Sequence, residues 1–472
     1  MTQEIIIRVS PWETRAFVFE SGTLTDVFLE QVGKGSLLGN IYIGKIARIL
    51  PALEGAFVDI GLEKNAFIKN DSFLGNSNRI GDQIVVQIIS EPTKKKGAKV
   101  TQDISIVGRH LVYHPQKDLV ALSETYHVLP GQKQFGKEFD NIEELEHNFI
   151  ARTGAKLNDL ILIQKEAKSL RQNWVSISSR IKEAKIPELL FEDRSMPIRI
   201  IRECLRESAS SVWVNDKRTF SEIKKFLSEF IPNLENCLKF SARPKFIGFQ
   251  GYERQIESVF ARKIGLSGGG QIVIDHTEAM TVIDVNSGSF NGNEDRKVFV
   301  RKINLQAAEE IMRQLRLRNI GGLIAVDFIN MEDIESRKRV RDAIERARSR
   351  DKKVGRVSEI SEFGVIEMSR RGESRSLDEI CRESCDACGG AGYIKTSRSI
   401  CLEIFDEILD KKKRYREKIC LVSTSRSVAN LIEGELRPLS AALSASLDIV
   451  IKVKAQSHFK PHEYHIATEL FR

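Results

Sequence analysis

A chain of 472 residues is too long for a single hydrophobic core and predicts about three domains, with room for further small ones. Its 41% hydrophobic and 29% charged residues belong to a globular protein, and a net charge of +8 favours a polyanionic partner. Three features point to a cytoplasmic protein with no transmembrane segment. The start, Met1-Thr-Gln-Glu-Ile-Ile-Ile-Arg8, is unlike a secretory signal, no run reaches roughly 18 apolar residues, and the seven cysteines do not pattern as a disulfide framework.

In chain order, residues 1–35 read as a hairpin arrangement of short strands: Glu4 to Arg8, Arg15 to Phe19 and Leu24 to Leu29. From Gly39 the strand patterns Asn40 to Leu50, Gly55 to Gly61, Asn65 to Ile68 and Gln83 to Ile89 are separated by Gly-rich turns, which predicts a small barrel. Phe57 and Phe67 lie on adjacent strand patterns, with Lys45, Arg48, Lys69 and Lys94 to Lys96 around them. Exposed rings among cations would stack bases and track phosphates, whereas buried rings would be ordinary core residues.

Residues 101–190 mix strands with a helical stretch from Leu157 to Ile186, and Pro197 to Ile231 reads as helix, strand (Ser211 to Val214) and helix. Lys263 to Gly270 is a turn opening the next domain. Its centre is two apolar strands, Met280-Thr-Val-Ile-Asp-Val-Asn286 and Gly322-Leu-Ile-Ala-Val-Asp-Phe328. Between them, Ile303, Ala307, Ile311 and Leu315 mark an amphipathic helix stopped by Asn319 and Gly321-Gly322. A strand-helix-strand crossover makes the strands parallel, so Asp284 and Asp327 should end on one sheet edge. Asn286, two residues after Asp284, shares its strand face. Paired hard oxygen ligands suit Mg²⁺, which takes one or two carboxylates and leaves room for waters and phosphates. A lone aspartate at a strand end would only cap a turn.

Glu332 to Lys353 is a strongly basic helix pattern, and Arg313, Arg316 and Arg318, Arg337 to Arg341, Arg346 to Lys353, and Arg370 and Arg371 are expected to gather positive charge around that crevice, unless they are simply solvated faces. Cys385-Asp-Ala-Cys388, followed by Gly389-Gly-Ala-Gly392, has the spacing of half a tetrahedral Zn²⁺ site. The missing ligands could be Cys381 and Cys401, or the same pair from a second chain. A redox CxxC pair or inert buried thiols are the competing readings. Thr396 to Lys418 predicts a helix, and 419–472 alternates strand and helix.

These motifs, taken in order, resemble the RNase E/G family of bacterial endoribonucleases, and the likeness covers essentially the whole chain. It runs through Gly39-Asn-Ile-Tyr-Ile-Gly-Lys-Ile46, Leu53-Glu-Gly-Ala-Phe-Val-Asp59, Ile283-Asp-Val-Asn286, Arg313-Gln-Leu-Arg-Leu-Arg318, Gly321-Gly-Leu-Ile-Ala-Val-Asp-Phe-Ile329 and Phe363-Gly-Val-Ile-Glu-Met-Ser-Arg370. The resemblance implies an α/β multidomain protein. An OB-fold β-barrel (36–102) would be inserted in an RNase H-like domain (1–35 and 197–262), with a 5′-phosphate sensor region at 103–196. A DNase I-like α/β catalytic domain (263–380), a zinc link (381–392) and a small α/β C-terminal domain (393–472) would follow.

By the same resemblance, Asp284 and Asp327 are Mg²⁺ ligands and Asn286 orients them. Phe57, Phe67 and Lys96 contact RNA, and Gly108, Val112, Arg152 and Thr153 sense a 5′-monophosphate. Arginine gives bidentate contacts to such a phosphate and threonine adds a hydroxyl. Cys385 and Cys388 would share one Zn²⁺ with the same pair of a second chain, giving a homodimer or a tetramer of two such pairs. The implied activity is Mg²⁺-dependent cleavage of single-stranded RNA in rRNA maturation and mRNA decay. The alternative is a non-catalytic RNA-binding or ribosome-assembly factor.

Two positions depart from the family pattern: Asn330 stands where a second aspartate is common, and Asp386 where proline is common. With little chain beyond the small C-terminal domain, the sequence looks closer to the branch without a long disordered extension.

Overall fold

The computed structural model describes residues 2–33, 35–73, 79–93, 96–116, 120–122, 148–152, 160–242, 255–256, 258–288, 295–410 and 418–470. The chain divides into two units, Met1–Ile380 and Cys381–Arg472.

In the first unit, β1 (Gln3–Val9), β2 (Glu13–Glu20) and β3 (Thr23–Gln31) form an antiparallel meander. Five strands follow: β4 (Ile41–Leu50), β5 (Gly55–Asp59), β6 (Ala66–Lys69), β7 (Gln83–Ser90) and β8 (Lys99–Thr101). They pair in the order β4-β5-β6-β8-β7, and β7 returns to β4, closing a barrel. Alternation fills its interior with Ile46, Ala56, Val58, Ala66, Ile68, Val86, Ile88 and Val100. The sequence pattern predicts only four of these strands, because three residues are too few for β8 to show a period.

A small sheet comes next: β9 (Ile106–Val107), β10 (Leu111–Tyr113), β11 (Val120–Leu122) and β12 (Phe149–Ala151), with β10 central between β9 and β12. Helix α1 (Leu160–Glu183) presses Ile163, Ala167, Leu170 and Ile177 onto Leu111 and Phe149. β13 (Glu188–Phe191) then pairs with β4. The chain returns to the first sheet through α2 (Met196–Cys204), β14 (Ala209–Val214), α3 (Lys217–Phe230) and β15 (Leu238–Phe240), giving the order β15-β14-β1-β2-β3.

The two-aspartate sheet has the order β16-β17-β18-β19-β21-β20. Its strands are β16 (Lys263–Gly265), β17 (Gln271–His276), β18 (Met280–Asn286), β19 (Gly322–Asp327), β20 (Val354–Val357) and β21 (Val365–Arg370). The predicted turn at Lys263 to Gly270 therefore contains a short strand, β16, paired with β17. Between β18 and β19 runs α4 (Arg296–Leu317), capped by Asp295, whose side chain accepts from Lys297 N at 2.8 Å. It ends at Asn319 and Gly322, both at positive φ. β18 and β19 are parallel, as the crossover predicts. α4 and α5 (Ile334–Arg348) bury Ile283, Val285, Ile324 and Val326 on one face; α6 (Leu377–Cys381) closes the unit.

In the second unit, β22 (Lys418–Thr424) lies between β23 (Val450–Ala455), parallel to it, and β24 (Tyr464–Leu470), antiparallel. Helices α7 (Ser397–Asp410), α8 (Arg426–Glu433) and α9 (Arg437–Leu447) pack around them. The predicted helix at Thr396 to Lys418 is shorter in the structure: α7 ends at Asp410, 411–417 lie outside the described residues, and Lys418 already begins β22.

Candidate functional site

Strand register builds the centre of the site. Asp284 of β18 and Asp327 of β19 are direct cross-strand partners, on parallel strands that stand about 4.8 Å apart. Partners in register point to the same face. Here that face is the one opposite α4 and α5, and both aspartates are exposed on it. Their row continues to Val273 on β17 and Val365 on β21, so two carboxylates sit side by side between two apolar neighbours. Asn286 donates from Nδ2 to Asp284 Oδ2 at 2.6 Å, fixing the orientation of that carboxylate. Among the described residues, no group of three or more His, Cys, Asp or Glu side chains gathers to hold a metal. A divalent ion here would rest on two carboxylates, a donor set that fits Mg²⁺ with its preference for oxygen and retained waters.

A second row crosses the barrel. Register places Arg48 opposite Phe57, Phe57 opposite Phe67, and Phe67 opposite Lys99. The two rings meet edge to face with centroids 5.9 Å apart. Their strand neighbours Ala56, Val58, Ala66 and Ile68 point inward, so both phenylalanines lie on the outer face, half-buried rather than in the core. Gly55 makes room for this pair, because a Cβ there would stand 2.6 Å from the Phe67 ring. Lys96 is exposed in the turn before β8, where its carbonyl accepts from Thr93 N at 2.8 Å. Lys94 and Lys95 lie outside the described residues. Lys99 lies in β8, which at three residues is too short for its alternation to be a sequence signal.

Of the four residues tied to a 5′-phosphate, three are described and Thr153 lies outside the described residues. Val112 is in β10, and Gly108 and Arg152 flank the same small sheet. Arg152 Nη1 donates to the Gly108 carbonyl at 2.7 Å, and Arg152 N donates to His110 O at 2.8 Å. Glu166, buried on α1, holds the Gly108–His110 turn by accepting from Arg109 N, from His110 N at 2.9 Å and from His110 Nδ1 at 3.1 Å. A Cβ at Gly108 would lie 2.2 Å from Glu166 Oε1 and 3.0 Å from the Leu111 carbonyl, so a larger residue would push the Glu166 carboxylate out of this turn. Glu203 of α2 engages both terminal nitrogens of Arg152. Burial acts to raise the Glu203 carboxyl pKa, but Arg152 and Arg202 together pull it below the usual carboxylate range. Glu166 lies 57 and 56 residues from Arg109 and His110, and Glu203 lies 51 residues from Arg152, so no local pattern marks either role.

The arginines of the crossover helix do not line the aspartate crevice, which corrects the charge-run expectation. A crossover helix runs back along the sheet, so its last turn lies at the edge opposite the strand ends carrying Asp284 and Asp327. Arg316 donates to Asp26 from Nε and Nη2, both at 2.6 Å, and to Glu20 at 3.0 Å; Arg313 donates to Leu24 O at 2.7 Å. Burial lowers the Arg316 guanidinium pKa, but Asp26 and Glu20 outweigh it and hold it above its ordinary value. Arg318 is buried against Gln314 and Ala261 O, and Arg370 is buried against Asp351 and Ile320 O. On α5, Arg337 donates to Met331 O, and Arg339 and Arg341 pair with Glu335 and Glu345. Arg371 remains exposed, donating to Lys352 O at 3.0 Å.

In the second unit, Cys385 is exposed and Cys388 half-buried in the loop before α7. Backbone N–H groups of Gly392 and Gly390 hold the Cys388 thiol below its ordinary pKa. The pair sits in a glycine-rich turn rather than at the start of a helix, where a redox pair would be placed. Cys401 is fully buried in the core beside Ile404 and Phe405, which removes it as a ligand, while Cys381 is exposed. Two thiols in one turn supply half of a tetrahedral Zn²⁺ set.

The sequence pattern of the Ribonuclease E/G family matches residues 105–373, more than half of the chain and inclusive of both aspartates. The chain belongs to the ribonuclease E/G family. A second pattern, the thioredoxin-like domain of RNase E/G, matches residues 384–469. Ribonuclease G of Escherichia coli (strain K12) is 29% identical over 99% of this chain and 99% of its own length. Ribonuclease G of Haemophilus influenzae is 29% identical over 98% of this chain and 99% of its own length. Ribonuclease E of the same organism is 31% identical over 96% of this chain but only 50% of its own length, so in extent the likeness is nearer to ribonuclease G. Among the described residues, no helix is long and apolar enough to cross a membrane.

Proposed function

We propose that the protein is a Mg²⁺-dependent endoribonuclease that cuts single-stranded RNA and favours a 5′-monophosphorylated end, in rRNA maturation and mRNA decay. The observation that carries this reading is the register pairing of Asp284 with Asp327 on an exposed sheet face, in a chain whose relatives are named ribonucleases. A pure RNA-binding factor gains nothing from two adjacent carboxylates where phosphates must approach. Bound between them, Mg²⁺ would polarise the scissile phosphodiester and lower the pKa of an attacking water. Asn286 holds one oxygen of Asp284, leaving the other for the ion. Hydrolysis would leave 3′-hydroxyl and 5′-phosphate ends.

The barrel is read as an OB-fold clamp, with Phe57 and Phe67 stacking bases and Arg48, Lys96 and Lys99 meeting phosphates. The sheet β15-β14-β1-β2-β3 is read as the RNase H-like part and the two-aspartate sheet as the DNase I-like part. Arg152, with the Gly108 turn behind it, is read as the anchor for a terminal phosphate. Asp284→Asn is expected to abolish cleavage of a short 5′-labelled RNA while keeping its affinity. Near-normal cutting by that variant would refute the assignment.

The exposed Cys385–Cys388 turn supports a Zn²⁺ shared with the same turn of a second chain. Removing zinc, or replacing Cys385 with serine, should then halve the solution mass. A mass that does not move would contradict the shared ion.

A further inference from the structure

At the anchor pocket, an anion already holds the arginine. Arg152 Nη1 and Nη2 both donate to the Glu203 carboxylate, the Nη1 bond at 3.3 Å, while Nη1 also reaches Gly108 O. The end-on Nη1–Nη2 edge of the guanidinium, one of the two that suit a bidentate oxyanion, is therefore occupied by the protein itself. Glu203 is also held from the other side: Arg202 Nε donates to its Oε1 at 3.0 Å. Arg202 is immobile by comparison, its side chain 6% exposed and fixed by Asp193 at 3.0 Å and by Val107 O at 3.0 Å. Glu203 is the more exposed partner, 39% against 6%, and its contact with Arg202 is made through Nε of that residue, separately from the Arg152 fork.

We propose that Glu203 is a specificity-determining gate: its carboxylate occupies the Arg152 fork and yields only to a terminal phosphate, not to an internal phosphodiester. The proposal rests on reading Arg152 as the anchor of a 5′-phosphate. Its logic is charge exchange. A phosphodiester carries one negative charge, the same as the carboxylate it would displace, so the exchange gains nothing. A terminal phosphate monoester carries about 1.5 to 2 negative charges at neutral pH and three acceptor oxygens.

The surroundings reward the extra charge. Burial lowers the pKa of the Arg109 guanidinium and the nearby Arg152 lowers it further, with Glu203 opposing; burial and then Arg152 do the same to the Lys352 ammonium. Arg109, Arg152, Arg202 and Lys352 outnumber Glu203, Glu166 and Asp193 by one charge, so a dianion in place of the Glu203 carboxylate compensates them better.

The contrary arrangement is that Glu203 stays in place and merely aims Arg152, which would then receive phosphate through Nε and Nη2. The two differ in the sign of a binding change. Three otherwise identical short RNAs are compared by fluorescence anisotropy without Mg²⁺, so that the strand stays intact. They end in a 5′-hydroxyl, a 5′-monophosphate, and a 5′-monophosphate methyl ester that carries a single charge. For the wild type, the free monophosphate should bind at least about fivefold more tightly than the other two, and the methyl ester should behave like the hydroxyl.

In Glu203→Gln, checked for folding by its thermal midpoint, the Kd of the monophosphate RNA should fall by about threefold or more. The methyl ester should gain more, narrowing the ratio between them. A Kd for monophosphate RNA that rises or stays level in Glu203→Gln overturns the gate. So does a wild type that binds the methyl ester as tightly as the free monophosphate, a result that needs no variant to fold and leaves the anchor intact. Equal binding of all three RNAs by the wild type would instead remove the anchor, and the gate with it.

Discussion

The crossover helix and the barrel both present arginine and lysine among strands, yet the two sets behave in opposite ways. On α4, Arg313 and Arg316 are spent inside the protein, tying the two-aspartate domain to the first sheet through Leu24 O, Asp26 and Glu20, and Arg318 just after the helix is spent on Ala261 O. On the barrel, Arg48 and Lys99 flank a half-buried pair of rings on the outer face, in one register row. Positive charge in a sequence therefore says little until the facing carboxylates are known. Asp26 is 290 residues from Arg316, and that distance hides the pairing from any local pattern.

The contrast can be broken by mutation. The largest effect should come from Arg316→Ala, which strips Asp26 of its bidentate cation at a mostly buried junction and leaves Glu20 with Arg206 alone. It should cost about 3 kcal/mol of stability, read as a lowered thermal midpoint, while RNA affinity at low temperature is unaffected. A loss of RNA affinity without a loss of stability would return this arginine to the RNA surface. Next, Phe57→Ala should weaken binding of single-stranded RNA by about 1 to 3 kcal/mol, the worth of one stacked base. If its main effect is on the midpoint, the ring is a packing residue. Smallest, Lys99→Ala should reduce the slope of log affinity against log salt by about 0.7, one phosphate contact on a single strand. Arg313→Ala should leave that slope untouched.

What the sequence made legible follows from period and length. The strands Met280–Asn286 and Gly322–Asp327 and the helix between them show because long apolar runs and a 3.6-residue repeat are local signals, and parallel pairing then brings Asp284 beside Asp327. Three-residue β8 carries no period, so the barrel's closing strand and Lys99 were invisible. Glu166 and Glu203 matter only through contacts made after folding. Cys401 looked like a ligand by spacing, but the face of α7 that it occupies is the one turned into the core. Thr153 lies outside the described residues, and its part in the anchor is carried by the resemblance.

In the proposed function, Asp284 and Asp327 would share one divalent ion. Mn²⁺ binding, followed by the loss of its free electron-spin resonance signal, tests that directly. The wild type should bind one ion more than Asp284→Asn and one more than Asp327→Asn, and the double variant should lose no further ion. Two independent losses, or none, would contradict a shared site.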